Sequence, residues 1–245
     1  YPMQPLETWL SHFMQSATAA TVTSDQEESA ENRMSIGFIS PTFRVLELNW
    51  EHDYEMVKLG VPTFMGYLYR SGHTHCEHWD FDAEICEASA IDPKAFDLRQ
   101  YFDEALVSGF LLGNDQTLRP QTEKILDTLG VTRKAIYGIS LSAVLDRIAN
   151  VMALGRMAQC LAHVLRERHP DCKIVIGGLQ ASPDSMQPGI YQQLLEECRA
   201  IDYAWVGAAE YTAVQLYRNI LLGADEKNHQ LSDRVFYRDA EGRVR

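Results

Sequence analysis

The chain has 245 residues, enough for one large domain or one domain with appendages. Its 46% hydrophobic and 23% charged residues are the mix of a globular chain with a sizeable core. A net charge of −12 argues against a nucleic-acid partner, because phosphate binding needs a cationic footprint.

No apolar run reaches the roughly 18 residues of a membrane span, and the amino terminus lacks a basic start and a long apolar stretch. The expected setting is cytoplasmic. Five cysteines stand at 76, 86, 160, 172 and 198, with no C-x-x-C pair. They read as small buried hydrophobes in a reducing compartment.

Residues 1–33 read as an amino-terminal extension, with a short amphipathic helix over Pro5–Met14 and a polar, acidic linker from Ala17 to Asn32. A first strand is expected over Met34–Ser40. It is followed by Pro41-Thr42-Phe43 and an acidic, aromatic loop containing Trp50 and Tyr54. A loop of that length either lies over a ligand or is a surface insertion.

Gly60–His73 predicts a helix, with Pro62 in its first turn, Phe64 and Leu68 on an apolar face and Gly72 at its end. Thr74–Asp82 predicts a second strand. Residues 83–132 read as an enlarged connection, with helical periodicity over Leu98–Leu112 and Thr122–Leu129.

A third strand is expected over Ala135–Ser140, and a long helix over about Asp146–Arg168. Ile148, Met152, Leu154, Met157, Leu161 and Leu165 mark one apolar face of that helix. Lys173–Ile176 predicts a fourth strand running into Gly177-Gly178. Tyr191–Arg199 predicts a helix, Asp202–Gly207 a fifth strand and Glu210–Leu222 a last helix. The tail from Arg234 to Arg245 reads as a hairpin turning near Glu241-Gly242.

This alternation predicts an α/β, Rossmann-like (flavodoxin-like) fold: a five-stranded parallel sheet with helices on both faces, plus a C-terminal hairpin. The expected organisation is an extension over 1–33, an α/β domain over 34–223 and a linker hairpin over 224–245. Ligands in such sheets sit beyond the carboxyl ends of the strands. Small and polar residues gather there: Pro41 to Phe43, Ser140 to Ala143, Gly177 to Ser182 and Gly207 to Glu210. Gly177-Gly178 serves either a tight turn or the close approach of a ligand to the backbone. Ser140 and Ser142 serve either as helix N-caps or as ligand hydrogen-bond partners.

Five pieces together carry a family resemblance. These are Val61-Pro to Gly72-His, Gly138-Ile-Ser140, Arg166-Glu-Arg-His-Pro-Asp-x-Lys-Ile-Val-Ile-Gly-Gly178, Gly207-Ala-Ala-Glu210, and Val235-Phe-Tyr-Arg-x-x-x-Gly242. In this order and spacing, residues 34 to 245 resemble the cobalamin-binding domain that precedes the radical S-adenosylmethionine core in one large enzyme group.

The resemblance implies cobalamin as cofactor. It implies a binding set of Pro41, Thr42, Phe43, Ser140, Leu141, Ser142, Gly177, Gly178, Leu179, Gln180, Gly207, Ala208 and Glu210. The chain has no Asp-x-His motif, so the expected cobalamin is base-off, with no histidine on cobalt. A Cys-x-x-x-Cys-x-x-Cys motif is also missing. The [4Fe–4S] cluster and S-adenosylmethionine of a full enzyme, a methyltransferase by that resemblance, would therefore belong to a catalytic domain in the same or another chain. The alternative expectation is a flavodoxin-like nucleotide-binding or regulatory domain without cobalamin. A dinucleotide-binding reading fails because Ser40-Pro-Thr-Phe is not G-x-G-x-x-G.

Overall fold

The computed structural model describes residues 35–41, 60–73, 75–81, 84–85, 88, 92, 95–141, 148–178, 188–206, 212–224, 235–239 and 241–245. In chain order it has β1 (Ile36–Ser40), α1 (Gly60–Arg70), β2 (Cys76–Asp80), a 3₁₀ turn (Leu98–Phe102), α2 (Glu104–Leu111) and α3 (Arg119–Thr128). Then come β3 (Ile136–Ser140), α4 (Ile148–Arg168), β4 (Lys173–Gly177), α5 (Pro188–Glu197), β5 (Tyr203–Trp205), α6 (Thr212–Leu221) and β6 (Val235–Tyr237). The extension over 1–33 and the loop between Pro41 and Gly60 lie outside the described residues.

The fold is α/β, built on one mostly parallel sheet in the order β2-β1-β3-β4-β5-β6. The first five strands in this order are mutually parallel. The expectation of five strands and a separate hairpin needs correction. Val235–Tyr237 joins the sheet as a sixth strand, antiparallel to β5, with Tyr203 opposite Tyr237 and Trp205 opposite Val235. The hairpin turn is present, with Arg238 bridging Val244 and Gly242 at φ +80°. Pairing with β5 satisfies backbone groups that an isolated hairpin would leave to water.

Strand alternation divides the core in two. Ile36, Phe38, Ile136, Val175, Tyr203 and Trp205 face one side, where α1 and α6 cover them with Phe64, Leu68, Leu216 and Tyr217. Ile39, Tyr137, Ile139, Ile174, Ile176 and Ala204 face the other, against α4 and α5. Such burial on both faces is what a parallel sheet requires.

The connection between β2 and β3 adds a further layer. Its 3₁₀ turn, α2 and α3 pack on the outer side of α4. This explains why α4 is buried more widely than one apolar stripe: Ala153, Ala158, Cys160, Ala162 and Val164 are buried along with Leu154, Met157, Leu161 and Leu165. Asp103 starts α2 by accepting hydrogen bonds from the Ala105 and Leu106 amides at 2.9 and 3.1 Å.

Arg166, near the end of α4, ties the amino-terminal edge of the sheet together. Its guanidinium donates to the carbonyls of Pro170 (3.0 Å), Cys172 and Ala200 (3.1 Å), and to Asp202 Oδ2 at 2.5 Å. Asp202 in turn accepts the Ile174 amide at 2.8 Å. Among the described residues, no helix is long and apolar enough to cross a membrane.

Candidate functional site

The order β2-β1-β3-β4-β5 reverses direction between β1 and β3. β1 connects outward to β2 through α1, while the chain returns past β1 to β3 and continues the other way. Ligands of open α/β sheets bind in the crevice at such a reversal, beyond the carboxyl ends of the strands. The register puts Asp80 opposite Ser40, Ile39 opposite Ile139, Ser140 opposite Gly177, and Gly177 opposite Trp205. Asp80, Ser40, Ser140, Gly177 and Trp205 therefore form one row along the carboxyl rim. By strand alternation the row belongs to the face covered by α1 and α6.

Of the expected site residues, the structure brings Pro41, Ser140, Leu141, Gly177 and Gly178 to this rim. Thr42, Phe43, Ser142, Leu179, Gln180, Gly207, Ala208 and Glu210 lie outside the described residues. Pro41 and Leu141 are buried, and Ser140, Gly177 and Gly178 are partly exposed. The Leu141 amide donates to the Gly177 carbonyl at 2.6 Å, extending the β3–β4 ladder past the named strands.

The two glycines have neighbours within the protein. A Cβ on Gly177 would stand 3.0 Å from both the Cβ and the carbonyl oxygen of Trp205. Gly178 has φ +97°, a backbone that L side chains rarely adopt, and its Cβ would stand 3.1 Å from Ser140 Oγ. Small residues at this edge thus let β4 pass close to β3 and β5. They leave Ser140 as a partly exposed hydroxyl beside two backbone positions without side chains.

Sequence reasoning missed a second polar pair on the rim. Ser40 is buried and its Oγ lies 2.8 Å from His78 Nε2 on β2. The signal was weak, because a serine at a strand end and a histidine 38 positions later are linked only by the parallel register.

Below the rim, on the same face, the space between the sheet and the two helices is filled by three aromatic rings. Phe38 and Phe64 have centroids 5.6 Å apart, Phe38 and Tyr217 5.7 Å, and Phe64 and Tyr217 5.4 Å. Gly138 on β3 makes room for them: a Cβ there would lie 2.5 Å from the Tyr217 hydroxyl and 2.6 Å from the Phe38 ring. Burial pushes the Tyr217 phenol far above its ordinary value, so it stays neutral.

Apart from His78, the described histidines lie away from the rim. His73 and His75 precede β2 and His169 precedes β4, so all three stand at the opposite, amino-terminal edge. His169 stacks on Tyr137 with centroids 5.8 Å apart, and His163 on α4 packs edge-on against Phe110 at 5.1 Å. Burial, followed by the Arg218 charge, lowers the His73 pKa. Among the described residues, no group of three or more His, Cys, Asp or Glu side chains is placed to hold a metal ion.

Cys76, Cys160, Cys172 and Cys198 carry free thiols, and burial pushes those of Cys76, Cys172 and Cys198 up to about 11. They remain protonated near neutrality and serve as packing groups.

At the rim, Ser140 is partly exposed beside Gly177 and Gly178, two backbone positions without side chains. No family model matches the chain, and no curated protein is detectably similar to it.

Proposed function

We propose that this chain is the corrinoid-binding module of a cobalamin-dependent radical S-adenosylmethionine enzyme, a methyltransferase by the resemblance of its motifs. One observation carries the reading. Ser140, Gly177 and Gly178, from two of the five motifs, lie side by side on the carboxyl rim next to the β1/β3 reversal of a sheet whose first five strands follow the flavodoxin-like order.

In this role the bound corrinoid supplies a transferable methyl group. The chain's own residues bind and orient. The Ser140 hydroxyl donates to an amide arm or phosphate oxygen, and Gly177 and Gly178 let the ring edge approach the backbone. The chain has no Asp-x-His motif, so in this reading the corrinoid is base-off with no histidine on cobalt. The cluster and S-adenosylmethionine belong to a catalytic domain in the same or a separate chain.

The test is to incubate the purified protein with hydroxocobalamin, desalt it and record the visible spectrum. Retained absorbance of the base-off form, unchanged when each histidine is replaced by alanine, is the expected result. Loss of all corrinoid on desalting overturns the reading. The strand order also favours a flavodoxin-like nucleotide-binding domain. Retention of a flavin or nucleotide in place of a corrinoid would establish that reading instead.

A further inference from the structure

We infer that His78 is a positioning residue for the rim site: through its bond to Ser40 it holds the carboxyl end of β1 to β2, and so fixes one side of the crevice that Ser140 and the two glycines border. This inference rests on the corrinoid reading above. It names a residue of that site that none of the five motifs contains.

Ser40 is the last residue of β1, and Pro41 follows it. Proline has no N–H, so the next backbone donor along β1 is missing. Ser40 is 1% exposed, and a hydroxyl at that depth is costly unless it is hydrogen-bonded. Its Oγ lies 2.8 Å from His78 Nε2. The bond is diagonal, since the register sets His78 opposite Phe38 and Asp80 opposite Ser40. The end of β1 is thereby tied back to a part of β2 that is still within the backbone ladder.

β1 and β3 are the two strands at the reversal. Carried one step past Ile39 and Ile139, their register sets Ser40 beside Ser140. Ser140 in turn stands opposite Gly177. A shift at the end of β1 therefore passes to the hydroxyl and the glycine edge that the corrinoid reading puts against the ligand. Sites rely on such supporting bonds to keep their ligand-binding groups in place. Ser40 itself, being buried, acts by position.

Equilibrium dialysis of the full chain against hydroxocobalamin, run beside urea unfolding, tests this. Ser40→Ala and His78→Ala are each expected to weaken binding by about fivefold. The double variant should be no weaker than either alone, because both changes remove one bond. Bound corrinoid keeps the base-off spectrum in every variant, so affinity is what changes. Losses that multiply in the double variant would overturn the inference, as would unchanged affinity in Ser40→Ala, which removes only a hydroxyl.

His78→Gln puts an amide where Nε2 stands and is expected to bind within about threefold of the parent. A glutamine variant as weak as the alanine variant would also overturn the inference. Glu77→Ala separates positioning from general loosening of β2. It cuts the Lys134 ion pair (2.8 Å) and the Thr132 bond (3.2 Å) near the amino end of that strand. Its affinity should match the parent, and a loss equal to that of His78→Ala would sink the claim for the Ser40 bond. A parent chain that retains no corrinoid overturns the corrinoid reading, and this inference with it.

Discussion

The Tyr217 hydroxyl occupies the place of a side chain that Gly138 does not have, 2.5 Å from where its Cβ would stand. One residue is in the middle of β3 and the other is on α6, and the fit between them sets how closely that helix lies on the sheet.

Gly138→Ala is therefore expected to destabilise the fold by about 1–3 kcal/mol, the usual cost of overfilling a packed core. Tyr217→Phe in the same chain recovers only part of the loss, because the Phe38 ring stands 2.6 Å from the same point. Urea unfolding of the two variants, compared with the parent chain, measures both effects.

Gly178 and Gly223 both have positive φ, +97° and +63°, but only Gly178 has a neighbour at its missing Cβ. Gly223→Ala is expected to cost about 1 kcal/mol, from the left-handed backbone alone. Gly178→Ala is expected to cost about 2–3 kcal/mol, since its φ is less tolerated and Ser140 must move. Equal thermal shifts in the two variants would show that the Ser140 contact has no energetic weight.

Arg166 joins three carbonyls and Asp202 at the amino-terminal edge of β4 and β5. Arg166→Leu leaves the Asp202 carboxylate, 22% exposed, with fewer donors. The Ile174 amide remains with it, and the Lys173 ammonium is 3.7 Å away. A loss of about 2 kcal/mol is expected, in line with hydrogen bonds to a charged, partly buried group. Asp202→Asn should recover part of it in the double variant, as a double-mutant cycle by urea unfolding would show.

Acid should weaken the fold through His169. Burial, then the charges of Arg133 and Arg168, lowers its pKa below the ordinary 6.5. A histidine held neutral contributes stability that is fully present above 6.5 and is lost as pH falls through the lowered folded value. His73 is lowered by burial and Arg218, and acts with the same sign. Stability measured from about pH 7.5 down to about pH 5 should decline in the parent chain. His169→Phe, which keeps an aromatic ring against Tyr137, should flatten the slope without abolishing it. An unchanged slope would remove His169 as a source.

Strands and helices were legible because each buried face writes its period into the sequence. β1 reads Ile36-Gly-Phe-Ile-Ser40 and β4 reads Lys173-Ile-Val-Ile-Gly177, each short, apolar and stopped by small residues. Helix α1 was legible from Pro62 at its start and Gly72 at its end. The order of these elements gave the parallel sheet, because β–α–β alternation with right-handed crossovers leaves few topologies.

The sixth strand was not legible. Val235-Phe-Tyr237 reads the same as an isolated hairpin strand or as an edge strand. Only the position of β5 beside it decides which. The rim was partly legible, since Ser140, Gly177 and Gly178 end their strands in the sequence itself. That Ser40 meets His78 was not, because it depends on the register between β1 and β2.

The sequence alone thus determined local structure and strand polarity, which depend on neighbours a few residues apart. Tertiary structure decided what lies against each glycine. Gly138, Gly177 and Gly178 have no side chain, so the sequence cannot say whether the gap admits a ligand or a neighbour. Tyr217, Trp205 and Ser140 take up that space through contacts 79, 28 and 38 positions away along the chain.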